Sequence, residues 1–288
     1  MAIKGRNLML GGHALVWAGD WTPQGARKAI GGATKAGYDY VEIALLDPWK
    51  VDIAMTKDLL DEYGITATAS LGLSPESDVT STDPSVVSKG DELLRKAVDV
   101  LHGFGGTEMC GVLYSNLGKY PGPASKENRA NSVAAMQRLC DYAHDKGIAV
   151  SLEVVNRYET NIINTGKEAL HFLDEINRPN AYVHLDTYHM NIEEDGMEAA
   201  VLDCGDRLGY VHIGESHRGY LGSGNVDFDT FFAALKKINY SGPIAFESFS
   251  SAVVDPALSN TLCVWRNLWN DSDDLASHAF AFMKERIK

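Results

Sequence analysis

Cysteine is scarce in this chain. The four residues among 288 (Cys110, Cys140, Cys204 and Cys263) lie far apart, with no CxxC pair and no Cys/His spacing of a zinc module. That argues against a disulfide framework and fits reduced thiols in a cytoplasmic protein. Clusters of lysine and arginine are missing too, and the formal net charge is −13. A nucleic-acid partner needs a local basic patch, so none is expected. No stretch approaches the roughly 20 apolar residues that span a membrane, so no membrane partner is expected either. The nearest thing to a secretory signal is LMLGGHALVWAG behind Lys4 and Arg6. Gly11, Gly12 and His13 break it and a helix start follows, so a strand is expected there. No GxGxxG follows that strand, which weakens the case for a dinucleotide site.

What is present is a rhythm. Apolar, β-rich runs at 7–17, 38–46, 65–73, 107–115, 149–155, 181–189, 208–216 and 243–249 read as strands. Between them lie helical patterns at 23–36, 51–63, 83–104, 127–146, 165–176, 196–204 and 228–238, with further helices near 258–269 and 273–286 closing the chain. Caps punctuate the series: Thr22-Pro23 and Asp83-Pro84 open helices, and Gly37, Gly64 and Gly147 stop them. Eight strand-then-helix units without a linker predict a closed (β/α)8 TIM barrel, one domain over residues 1–288. An open doubly wound sheet is the runner-up. The segment TLCVWRNLW near the C-terminus is read as a subunit contact or as a cover for the barrel bottom.

The last four strands share a signature. AVSLEVV, AYVHLDTYH, LGYVHIGES and PIAFESF each place an acid or a histidine near the C-terminal end: Glu153, Asp186, His212 and Glu247. Each is about one βα unit from the next, and in a parallel barrel all such ends open on one face. Taken singly, His212 is a satisfied polar residue, Glu247 a helix cap and Asp186 a loop carboxylate. Taken together, four such groups on consecutive strands would repel one another without a cation. Carboxylates and an imidazole without thiolate suit Mn²⁺, Co²⁺ or Mg²⁺ better than a structural zinc. Glu159, His189 and Arg218 lie nearby, with surface pairing or packing under a helix as their plainer roles. Glu42 ends the second strand, on the other half of the ring. Trp17, near the end of the first strand, either fills the core or walls a sugar pocket.

At LEVVNRYE, HLDTYHMNIEE, HIGESHRG and FESF the sequence resembles the ketose 3-epimerase family, the D-tagatose, D-psicose (D-allulose) and L-ribulose 3-epimerases. These belong to the xylose-isomerase-like sugar isomerase/epimerase barrels. The resemblance implies a metal-dependent inversion of C-3 in free ketoses through an enediolate, with Mn²⁺ as the first-choice ion. It implies Glu153, Asp186, His212 and Glu247 as metal ligands, and Glu153 and Glu247 as the catalytic pair. Glu159, His189 and Arg218 would hold the O-1 and O-2 end of the sugar, and a homodimer or homotetramer is implied. Residues 221–228 (LGSGNVDF) and those after the first strand depart from the tagatose enzyme's pattern, which bears on the preferred ketose. The alternatives are an aldose–ketose or hydroxypyruvate isomerase of the same barrel type and, less favoured, a non-catalytic sugar-binding barrel.

Overall fold

The computed structural model describes residues 8–254 and 256–288. Eight strands, β1 (Met9–His13), β2 (Tyr40–Ala44), β3 (Thr66–Ser70), β4 (Glu108–Gly111), β5 (Ala149–Val154), β6 (Ala181–Asp186), β7 (Leu208–Ile213) and β8 (Pro243–Phe246), close into a barrel in sequence order. Every pairing is parallel, and β1 completes the ring against β8 with Met9 opposite Pro243. Helices α1 (Pro23–Ala36), α2 (Ile53–Tyr63), α3 (Pro84–Gly103), α4 (Lys126–His144), α5 (Gly166–Ile176), α7 (Met197–Cys204) and α8 (Phe228–Lys237) are the crossovers. The short α6 (Thr187–Glu193) follows β6 directly, and α9 (Pro256–Thr261) and α10 (Ser272–Arg286) end the chain.

Local chemistry explains the boundaries. The Thr22 hydroxyl accepts from the Gly25 amide at the start of α1, and Gly37 closes that helix in the left-handed region at φ 94°. Thr165 and Glu168 form a reciprocal capping box at α5. The main core lies between the sheet and the helices, with Ile30, Val98, Leu101, Phe172 and Phe231 wholly buried there. Inside the barrel, Tyr40, Cys110, Tyr210 and Ala245 make a separate layer.

Strands β3, β4 and β7 end earlier than expected, at Ser70, Gly111 and Ile213, and three further changes bear on the site. The first strand is shorter than 7–17 within the described residues, which exclude Asn7. After His13 the chain turns through a 3-10 segment, Ala14–Val16, because the His13 Nδ1 accepts the Leu15 amide and caps the turn. The strand expected over 181–189 stops at Asp186, whose carboxylate accepts the Tyr188 amide and starts α6, so His189 rides on a helix. The helix expected over 258–269 ends at Thr261. Cys263 sits at φ 54°, a conformation no α-helix continues through. Beyond that break, Leu262 and Val264 turn onto Leu15, Phe249 and Val254. Leu15 and Phe249 follow the C-terminal ends of β1 and β8, so TLCVWRNLW runs over the mouth of the barrel and not its bottom.

Candidate active site

Strand geometry brings the four strand-end groups together. Glu153 is the penultimate residue of β5, Asp186 the last of β6, His212 the penultimate of β7, and Glu247 follows β8. Asp186 and His212 face each other in register. One potential ligand atom from each of the four lies within 4.8 Å of the others. All four are buried, with exposures from 0% for Asp186 to 8% for Glu153. The His212 Nδ1 is 3.3 Å from Glu247 Oε1 and 3.6 Å from Glu153 Oε1, yet it has no hydrogen-bond partner among the described residues. These atoms converge on a common point without bonding to one another. An orphaned imidazole nitrogen among three carboxylates fits a divalent cation with oxygen and nitrogen preference.

The electrostatics agree with that fit. Burial pushes the Glu153 carboxyl up to about 8, with Glu247 and Asp186 adding to the rise and His212 opposing it. For His212, burial disfavours the imidazolium, but Glu42 and Glu247 outweigh it and push the group well up. A bound cation would take the place of these protons. A second trio, Cys110, His184 and His212, also has its ligand atoms within 4.8 Å. His212 cannot serve it as well, since its Nε2 lies 2.8 Å from Glu42 Oε2 and its Nδ1 faces the carboxylates. His184 packs edge-on against the His212 and Tyr210 rings, and we read it as core.

Arg218 closes one side of the site. Its Nη1 reaches Asp186 Oδ2 at 2.8 Å and Glu247 Oε2 at 2.6 Å, and its Nη2 lies 3.3 Å from His189 Nε2. The guanidinium stacks 3.9 Å from the Tyr188 ring centre and 5.2 Å from that of Phe249. Arg218 holds a φ of 61°, rare for a residue with a side chain, and the Ser248 hydroxyl donates to its carbonyl. Gly214 makes the approach possible, because a Cβ there would sit 2.7 Å from Arg218 Nη1. The His189 Nδ1 accepts from the Asn156 amide at 3.2 Å, and burial lowers His189 to about 3, so a neutral ring turns its Nε2 to the cavity. Asn156 also donates to Glu159 at 2.8 Å, which ties Glu159 into the same rim.

Glu153, Glu159, His189, His212, Arg218 and Glu247 all line one cavity. Its other wall is apolar: Leu15, Ala44, Leu46, Phe249, Leu258 and Leu262. Trp17 is not part of it. Because the chain turns immediately after His13, Trp17 swings under the helices, where it is 1% exposed. Its indole packs edge-on against Tyr38 and donates to Asp273 at 3.1 Å. Of the two roles open to Trp17, the structure assigns the core and removes it from the expected substrate contacts.

His13 was the residue missed. It lines the cavity from the end of β1, with Nε2 3.3 Å from Ser70 Oγ and 4.0 Å from Glu247 Oε1. Burial lowers it to about 4 against the opposing pull of Glu42. The signal was available, since it is a histidine at the end of an apolar strand, like His212. Tyr188 and Phe249 were also missed, and nothing in local periodicity marks them as a platform for Arg218.

Comparisons with known proteins place the barrel in a family. The model of the xylose isomerase-like TIM barrel family matches residues 32–286. An L-ribulose 3-epimerase from Methylomonas sp. is 74% identical over 281 residues, 98% of each chain. A ketose 3-epimerase from Arthrobacter globiformis is 55% identical over 280 residues, 97% of each chain. The crystal structure of a D-allulose 3-epimerase from Methylomonas sp. in complex with D-allulose is similar with a TM-score of 0.97, at 74% identity over 98% of both chains.

Proposed function

We propose how a chain that belongs to the xylose isomerase-like TIM barrel family, and within it to the ketose 3-epimerases, uses this site. It is a carbohydrate isomerase that inverts C-3 of free ketoses such as L-ribulose, D-fructose/D-allulose and D-tagatose. The observation that carries the reading is the pair of buried glutamates, Glu153 and Glu247, both beside the His212 Nδ1 and both lining one cavity.

Inversion at C-3 removes a proton α to the C-2 carbonyl and returns one to the opposite face. One glutamate of the pair takes the proton and the other supplies it, and the roles exchange with the direction of reaction. Arg218, Glu159 and His189 hold the O-1 and O-2 end by hydrogen bonds and so fix C-3 between the carboxyls. Neutral His189 offers an N–H to a sugar oxygen without adding charge. The apolar wall takes the rest of the chain of carbons and keeps water from the enediolate. Glu153, Asp186, His212 and Glu247 would hold one divalent ion, Mn²⁺ first and Co²⁺ or Mg²⁺ next, whose chemistry is Lewis-acid stabilisation of developing negative charge.

The same reading makes the enzyme a single barrel domain working in the cytoplasm as a homodimer or homotetramer. Four free cysteines support the compartment, and exposed Trp265 supports a subunit contact. No helix among the described residues is long and apolar enough to cross a membrane. Incubation with D-fructose and Mn²⁺ in D₂O tests the reaction. D-allulose carrying deuterium at C-3 is expected. An aldose product would move the chain to the isomerases of this barrel type.

A further inference from the structure

The barrel interior below the four-residue cluster carries a carboxylate that the proposed chemistry does not use. Glu42 is 0% exposed and does not line the cavity. Its Oε2 lies 2.8 Å from the His212 Nε2 and accepts the Tyr210 hydroxyl at 2.8 Å. Tyr210 is in turn 2.8 Å from Thr68 Oγ1, so one chain of hydrogen bonds crosses the barrel from β3 through β7 to β2. Among the described residues Glu42 has no lysine or arginine partner, and its other oxygen has no hydrogen bond. A buried carboxylate so placed is costly, so its position needs a reason beyond packing.

We infer that Glu42 is a positioning residue that fixes the tautomer and ring orientation of His212, and through it the cation affinity of the cluster. An ionised carboxylate only accepts, so of the two neutral forms of His212, the state a cation requires, it admits only the tautomer with a proton on Nε2. That tautomer presents the Nδ1 lone pair to the point shared by Glu153 and Glu247. The opposite tautomer would aim an N–H at three carboxylates and repel a cation. A carboxylate behind the ring also makes the ligating nitrogen more basic. This inference rests on the cation reading of the cluster.

The test uses Glu42→Gln, which keeps the shape but adds an N–H₂ that can donate to Nε2 and so admits the wrong tautomer. Metal-stripped wild type and variant are titrated with Mn²⁺ by calorimetry, and their metal-free melting temperatures are compared. The wild type is expected to take up one Mn²⁺, and the variant to bind about 10- to 100-fold more weakly, the usual cost of losing such a partner. Equal affinities would overturn the role of Glu42 and leave the cation reading intact. A wild type that takes up no Mn²⁺ would overturn both. Should Glu42→Gln fail to fold, imidazole ¹⁵N NMR of the Mg²⁺-loaded wild type decides. A downfield His212 Nε2–H is expected, and a His212 protonated on Nδ1 contradicts the inference.

Discussion

The two halves of the barrel mouth differ in kind. From β5 to β8 every strand end delivers an acid or an imidazole to one point, and Arg218 from the loop after β7 and His189 from α6 brace that point. From β1 to β4 the mouth offers mostly hydrocarbon: Leu15, Ala44, Leu46, Leu71 and Val112. His13 and Ser70, 3.3 Å apart, are its polar exceptions, and Glu42 reaches the other half only from below. Even the backbone packs tightly here. Gly111, at φ 114°, lies where a Cβ would be 2.4 Å from the Leu71 carbonyl oxygen. The contrast suggests that the second half performs the reaction and the first half decides which sugar fits.

The sharpest way to break that division is to remove one proton carrier. Glu153→Gln and Glu247→Gln should each lower turnover by about 10²–10⁴-fold or more, since each loses acid/base function and a charged ligand. Circular dichroism should show both folded, and a fully active variant of either would take that residue out of the pair. Next in size is loss of the ion. Exhaustive chelation should silence the enzyme, and Mn²⁺ or Co²⁺ should restore it. The sign of the pH effect follows from Glu153, which is protonated below about 8 in the metal-free protein and must release that proton to bind a cation. The raised His212 imidazolium must lose its proton as well, so apparent Mn²⁺ affinity should rise with pH by at least about tenfold per pH unit up to about 8 and keep rising until His212 is neutral. Calorimetry in buffers of different ionisation enthalpy checks the released proton.

Changes in the apolar half should be smaller and of another type. Leu46→Ala should shift the ratio of kcat/KM between D-fructose and L-ribulose by about 10-fold, the scale set by pocket contacts of this size. Its kcat on the better sugar should stay near wild type. A collapse of kcat on both sugars would erase the distinction between the halves. Smallest of all for catalysis is Trp17→Phe. It loses the bond to Asp273 and about 1 kcal/mol of stability, with KM unchanged. A raised KM would return Trp17 to the pocket.

The barrel and the four converging residues were legible in the sequence because both depend on strand ends, which alternation and helix caps mark locally. Strand order in a parallel barrel then carries the rest of the geometry. What escaped depends on contacts made across the ring or after a break in local pattern. Glu42 meets Tyr210 only because the sheet closes, and nothing near residue 42 announces it. The periodicity of 258–269 suits a helix, and only the left-handed Cys263 and the pull of Leu15 and Phe249 turn the segment over the mouth. Trp17 was ambiguous for the same reason, since a three-residue turn after His13 decides whether it faces sugar or core.

The claim beneath all of this is spatial. Anomalous diffraction at the manganese edge, from crystals grown with Mn²⁺, reads it directly. One peak within bonding distance of Glu153, Asp186, His212 and Glu247 is the expected result. A peak elsewhere, or none, would contradict the account.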